Sequence, residues 1–251
     1  ASFTGQVWYN STSGALKVDL GTPVSAWATV SDMNTARISL AGAGTQTAAL
    51  GFGGFPSPAI TESYNGTSWT EVNDLNTGRD RLSGTGASNT AALAFGGETP
   101  TITAITETWN GTNWTEVNDL NTARQGLAGA GTNTAALAFG GNVPPSTAET
   151  ETWNGTNWTE LNNLNTARKY LAGCGTNTAA LAFGGAPSPY ANTEIWNGTN
   201  WTEVNNLNSA REALAGAGTN TAALAFAGYS PYTAATETWN GTNWTEVADL
   251  A

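Results

Sequence analysis

The chain has 251 residues with 8 basic and 19 acidic side chains, a net charge of −11, and no histidine. That balance excludes a nucleic-acid backbone or an anionic membrane surface as partner. Without imidazole, Ser-His-Asp and Cys-His catalysis and histidine-bearing zinc or copper sites are excluded as well. Cys174 is the single cysteine, so no intramolecular disulfide forms, and no apolar run approaches the roughly 18 residues of a membrane span. Residues 1–20 carry no basic region followed by an apolar stretch, so no secretion signal is expected in them.

In chain order, residues 6–10, 15–20 and 27–32 read as three short strands. The last of these opens Trp27-Ala-Thr-Val-Ser-Asp-Met-Asn-Thr-Ala-Arg37, which has the form of the end of a repeat. Five complete repeats follow. Their hairpins run from Tyr64 to Trp69, Trp109 to Trp114, Trp153 to Trp158, Trp196 to Trp201 and Trp239 to Trp244, with starts 45, 44, 43 and 43 residues apart. Leu-Asn-Thr-Ala-Arg or a close variant ends at Arg37, Arg79, Arg124, Arg168 and Arg211. Ala-Ala-Leu-Ala-Phe-Gly-Gly or a variant ends at Gly54, Gly97, Gly141, Gly185 and Gly228.

Each repeat predicts four strands, as in residues 127–131 and 134–139 around the Thr132-Asn133 turn, then 105–109 and 113–117 around Asn110-Gly111. All are too short, and the first too rich in glycine, for helices. A type I′ turn at Asn110-Gly111 needs positive φ at both residues. It would set Trp109 opposite Thr112 and Glu107 opposite Trp114, leaving the two indoles as diagonal neighbours on one face. Four-stranded units of about 44 residues with a Gly/Ala inner strand, repeated in series, predict an all-β propeller. Five complete blades are favoured over six, with residues 1–33 as an N-terminal three-stranded segment and residues 34–251 as the propeller.

The Gly140-Gly141 pair, the aromatic pair Trp109 and Trp114, and Arg124 recur in register in every unit. In this the chain resembles the kelch-repeat family over residues 34–251, which implies four-stranded propeller blades. Residues 5–18, Gly-Gln-Val-Trp-Tyr-Asn-Ser-Thr-Ser-Gly-Ala-Leu-Lys-Val, resemble a segment of tail-fibre and other virion proteins of tailed bacteriophages. That resemblance implies a virion or extracellular location, with a protein partner in a larger assembly or a cell-surface glycan; separately, no cofactor is expected.

Chemistry-bearing residues divide into repeated and unrepeated. Glu62, Glu107, Glu151, Glu194 and Glu237 repeat, as do Glu71, Glu116, Glu160, Glu203 and Glu246. Such symmetry argues against a carboxylate-only enzyme, which needs two acids set apart from the rest. A structural role is expected for Arg37, Arg79, Arg124, Arg168 and Arg211, bridging blades through carbonyls or the strand glutamate. Trp114, Trp158, Trp201 and Trp244 are expected in blade packing, with a sugar-stacking platform as the alternative. Cys174 replaces the alanines of other repeats and reads as a small buried side chain. Asn-Gly-Thr at Asn65, Asn110, Asn154, Asn197 and Asn240 reads as turn chemistry before glycosylation.

Two zones vary between repeats: the segment after Gly-Gly and the two residues after each arginine. In a propeller both emerge on one face. The candidate ligand-binding residues there are Phe55, Arg81, Lys169, Tyr170, Tyr190, Tyr229 and Tyr232, aromatic anchors and the unrepeated cations of the propeller. The sequence points to a non-enzymatic binding or structural module, with a multivalent lectin second and a carboxylate enzyme third; neither a metal nor a catalytic residue is expected.

Overall fold

The computed structural model describes residues 4–10, 15–20, 27–229 and 231–250. In each repeat, glycine alternating with Ala, or with Ser, Thr or Cys in blades 2 and 4, builds an inner strand, and three further strands pair outward from it in antiparallel register. An N-terminal sheet precedes the repeats: β1 (Thr4–Asn10), β2 (Ala15–Leu20) and β3 (Ala28–Thr29). Blade 1 holds β4 (Ala41–Thr45), β5 (Ala48–Phe52), β6 (Thr61–Tyr64) and β7 (Trp69–Val72). Blade 2 holds β8 (Ser83–Ser88) and β9 (Ala91–Phe95), a small hairpin of β10 (Glu98–Thr99) and β11 (Thr101–Ile102), then β12 (Thr106–Trp109) and β13 (Trp114–Val117). Blade 3 is β14 (Ala128–Gly131), β15 (Ala136–Phe139), β16 (Thr150–Trp153) and β17 (Trp158–Glu160). Blade 4 is β18 (Ala172–Thr176), β19 (Ala179–Phe183), β20 (Thr193–Trp196) and β21 (Trp201–Val204). Blade 5 is β22 (Ala215–Thr219), β23 (Ala222–Phe226), β24 (Thr236–Trp239) and β25 (Trp244–Val247).

The inner strands β4, β8, β14, β18 and β22 adjoin in that order, so the five four-stranded blades form a β-propeller, as the repeats predict. Between the fifth and first blades β1 touches both β22 and β4, so the N-terminal sheet is interposed there. Trp27 packs on Phe226 of blade 5 at 5.2 Å between ring centroids, and its Nε1 donates to Thr236 Oγ1 at 3.2 Å.

The hairpin differs from the expected type I′ turn. Trp109 pairs directly with Trp114, and Glu107 with Glu116, so the loop is the four residues from Asn110 to Asn113. Only Gly111 takes positive φ, +92°. Asn110 Oδ1 accepts the N–H groups of Thr112 and Asn113, both at 2.9 Å, so a side chain does what a second left-handed residue would otherwise do. The indoles are therefore directly opposed, with centroids 5.4 Å apart.

Blades lock through aromatic contacts and through the segment between them. Phe95 of blade 2 meets Trp158 of blade 3 edge-on at 5.1 Å, and Trp158 Nε1 donates to Thr106 Oγ1 at 3.1 Å. A Cβ on Gly129 of β14 would lie 2.7 Å from the Phe95 ring. The first glycine of the inner strand is thus the socket for the preceding blade's phenylalanine, whereas an added Cβ on the second, Gly131, would strike the Ala135 carbonyl of its own blade.

Arg124 ties the same junction. Its carbonyl accepts from Gly97 N–H in blade 2, while its fully buried guanidinium pairs with Glu151 of blade 3 at 3.1 Å. The other carboxylate oxygen of Glu151 accepts both the backbone and side-chain N–H of Asn121 at 2.8 Å. Equivalent pairs join Arg37–Glu62, Arg79–Glu107, Arg168–Glu194 and Arg211–Glu237 at 2.6–3.1 Å. The Leu-Asn-Thr-Ala-Arg marker is therefore a docking segment: leucine fills the core, while asparagine and arginine satisfy one buried glutamate. Burial pushes the Arg79, Arg124, Arg168 and Arg211 pKa values down, and the facing glutamates push them back up.

Candidate functional site

After each arginine the chain climbs to the axis and turns sharply. The second residue takes a left-handed backbone: φ is +55° at Ser39, +53° at Arg81, +60° at Gly126, +53° at Tyr170 and +51° at Ala213. For the four non-glycine residues this conformation costs on the order of 1–2 kcal/mol each. It is offset by a relay of backbone hydrogen bonds around the axis. Arg81 N–H donates to the Ser39 carbonyl, Gly126 to Arg81, Tyr170 to Gly126 and Ala213 to Tyr170, at 2.7–2.9 Å. The relay rims an axial cavity of about 810 Å³ whose wall is largely the Gly/Ala of the inner strands.

The two variable zones meet residue to residue. The first residue after each arginine bridges to the first residue after each glycine pair: Ile38 with Phe55, Asp80 with Glu98, Gln125 with Asn142, Lys169 with Ala186 and Glu212 with Tyr229. The unrepeated side chains thus stand on one rigid collar.

On that collar Arg81, Tyr170 and Tyr232 line the axial cavity. Tyr170 lies over Gly126, where an added Cβ would come within 2.7 Å of its ring. Lys169 Nζ sits 5.3 Å from the centroid of the same ring. Tyr229 and Tyr232 form an edge-on pair at 5.0 Å, with Tyr232 79% exposed. Phe55 is exposed on blade 1. Tyr190 stands apart in the blade 4 loop, half-buried, its carbonyl accepting from Arg211 N–H.

Arg81 is not the free cation the sequence suggests. Its Nη1 bonds Glu98 Oε2 at 2.6 Å and Gln125 Oε1 at 3.1 Å, so a neighbouring loop already compensates its charge. Glu98, Gln125 and Gly126, which orient Arg81 and seat Tyr170, carry no signal in the sequence beyond varying between repeats.

The repeated residues are elsewhere. Trp114, Trp158, Trp201 and Trp244 are buried, as are Arg37, Arg79, Arg124, Arg168 and Arg211. Asparagines of the peripheral hairpins join blades, as where Asn73 Nδ2 donates to Thr112 O and Asn113 Oδ1 at 3.0 and 2.8 Å. Among the described residues no group of three or more Cys, Asp or Glu is placed to hold a metal ion, and no helix is long and apolar enough to cross a membrane.

The fold is similar to the solved structure of YjhT, with a TM-score of 0.74 and 13% identity over 98% of each chain. No family model matches the chain, and no curated protein matches it. At that identity the likeness extends to the propeller architecture alone.

Cys174 lies in the wall of the cavity, buried, with its Sγ 3.7 Å from the Thr219 carbonyl. Burial pushes its pKa up to about 12, so the thiolate fraction at pH 8 is on the order of 10⁻⁴. Labelling by iodoacetamide at pH 8 is expected to proceed only as fast as the protein unfolds. Stoichiometric labelling of folded protein within minutes would show instead that the cavity admits reagents and activates the thiol.

Proposed function

We propose that the protein is a non-enzymatic kelch-type propeller that serves as a binding or structural module of a phage virion or another extracellular attachment assembly. Recognition is at the mouth of the axial cavity. The observation that carries this reading is the residue-by-residue pairing of the two variable zones, which gathers Arg81, Lys169, Tyr170, Tyr229 and Tyr232 on one collar. Variable aromatic and cationic side chains on a rigid scaffold are the residue types that dominate binding hot spots.

The partner this collar suits is a polar or anionic group with an apolar face, either on a protein of the assembly or on a cell-surface glycan. Tyr170 and Tyr232 supply rings, and Lys169 supplies the charge that Glu98 has taken from Arg81. A lectin with one tryptophan platform per blade has less support, because Trp114, Trp158, Trp201 and Trp244 are all buried. Catalysis by paired carboxylates has little support as well, because the inner glutamate of each pair is held by an arginine and an asparagine.

A glycan array and calorimetry with wild type and the Lys169→Ala/Tyr170→Ala/Tyr232→Ala variant test the reading. One site per chain, weakened at least tenfold in a variant with unchanged circular dichroism, is the expected result. Five equivalent sites untouched by the substitutions would replace this reading with the multivalent lectin. Turnover of a bound glycan would replace it with an enzyme.

A further inference from the structure

Arg81 has its charge met but not its hydrogen-bonding capacity. A guanidinium carries five N–H donors and no acceptor. Both contacts of Arg81 fall on one nitrogen: Nη1 donates to Glu98 Oε2 at 2.6 Å and to Gln125 Oε1 at 3.1 Å. Nε and Nη2, which together form the side-on edge of the fork, donate to nothing among the described residues. The repeated arginines are used differently. Arg168 commits both terminal nitrogens, Nη1 to the Gly184 and Asn192 carbonyls and Nη2 to Glu194 and the Ala182 carbonyl, and is fully buried. The Arg81 side chain is instead 40% exposed and lines the axial cavity.

The fork is held still. Arg81 N–H donates to the Ser39 carbonyl at 2.9 Å and its carbonyl accepts from Gly126 N–H at 2.8 Å, so the backbone is fixed on both sides. Glu98 and Gln125 fix the far end, gripping Nη1 and leaving the opposite edge clear. Glu98 does not need this ion pair to keep its own place: Asp80 N–H donates to the Glu98 carbonyl at 3.1 Å, and Glu98 N–H to the Asp80 carbonyl at 2.9 Å. Gln125 is 7% exposed, and because a guanidinium only donates, Oε1 is the end of its amide that faces Arg81. Its Nε2 therefore sits beside the guanidinium, and it too donates to nothing among the described residues. Arg81 Nε and Nη2 and Gln125 Nε2 thus form a group of donors that lacks an acceptor.

We propose that the Nε–Nη2 edge of Arg81, with Gln125 Nε2 beside it, is a preformed seat for a carboxylate of a partner protein, the side chain of an aspartate or glutamate. This rests on the collar as the recognition face and names the group it takes there. A planar carboxylate matches the side-on edge of a guanidinium with two parallel N–H···O bonds, which a lysine in the same place cannot make. Because Glu98 already balances the cation and the chain carries a net charge of −11, long-range attraction of anions is weak and the seat selects by two-point geometry. Glu98 itself points to a peptide source. A glutamate on an extended two-residue strand, β10, already reaches this guanidinium, so an acidic residue on an extended segment suits the remaining edge. The Tyr170 ring, lying over Gly126 next around the rim, gives the stem of such a residue an apolar wall.

The test is titration of sodium acetate into isotope-labelled protein at fixed ionic strength, read by NMR. Expected is a saturable downfield shift of one arginine Nε–H, the resonance missing from Arg81→Lys, with the Gln125 side-chain amide following the same curve. Acetamide, similar in shape but uncharged, is expected to shift neither. Read at the Gln125 amide, Arg81→Lys is expected to weaken acetate binding at least tenfold although it keeps the charge. Glu98→Gln, which keeps an acceptor for Nη1 and removes a carboxylate, is expected to tighten it about threefold. Equal affinity in Arg81→Lys, or an equal response to acetamide, overturns the seat. Glutamate capped at both backbone ends is expected to bind more tightly than glucuronate; the reverse order overturns the assignment to a protein side chain. The Lys169→Ala/Tyr170→Ala/Tyr232→Ala variant tests the collar without touching the fork, so a wild type that does not bind acetate sinks the seat and leaves the proposed function standing.

Discussion

Arg124→Met is expected to destabilise the protein by about 3–5 kcal/mol, the cost of removing one partner from a buried ion pair. The guanidinium is fully buried, reaches Glu151 at 3.1 Å and Glu149 at 3.3 Å, and donates to the Ala138 carbonyl at 3.4 Å. Methionine fills much of the volume but leaves the Glu151 carboxylate buried with only Asn121 to satisfy it. Urea unfolding followed by tryptophan fluorescence measures the loss. Arg124→Met combined with Glu151→Leu is expected to recover a large part of it, because no charge is then stranded. A single-variant loss below about 1 kcal/mol, at unchanged m-value, would show that the pair contributes little and that aromatic packing alone holds the blades together.

Trp158→Ala is expected to cost a similar 3–5 kcal/mol, by a different route. The indole is 5% exposed, lies edge-on to Phe95 at 5.1 Å and opposite Trp153 at 5.5 Å, and donates to Thr106 across the blade junction. Truncation opens a cavity at a junction and removes the donor to the Thr106 hydroxyl, which keeps its own bond to the Ala104 carbonyl at 3.4 Å. Trp158→Phe is expected to lose only about 1–2 kcal/mol, since the ring survives and the hydrogen bond does not. In a repeat array each blade is supported mainly by its neighbours, so the loss is expected to loosen blades 2 and 3 first. Hydrogen exchange read blade by blade checks this: uniform loss of protection around the ring would mean that the propeller unfolds as one unit.

The collar sets the limits of what such variants disturb. Lys169, Tyr170 and Tyr232 contribute little to blade packing, so substitutions there are expected to leave Tm nearly unchanged. Arg81 is different: its loss leaves Glu98 and Gln125 without their partner and changes the shape of the collar.

Much of the architecture was legible in the residue order. Asn-Gly turns, Gly-Gly pairs and a period of 43–45 residues in register specify five four-stranded units, because local turn chemistry and strand length are properties of a dozen neighbouring residues. The convergence of the two variable zones was legible too, since it follows from strand count. The hairpin geometry was not. Whether Asn110 adopts a left-handed backbone or spends its side chain on Thr112 and Asn113 is decided by small energy differences, and the direct opposition of Trp109 and Trp114 tips them.

Sequence by itself determined the repeats, their number and the sign of the charge. Only the tertiary structure decided that each arginine and its glutamate meet across a blade junction and that Arg81 is already paired. These depend on contacts between residues far apart in the chain. A periodic sequence repeats each local preference and carries no mark of where the circle must close.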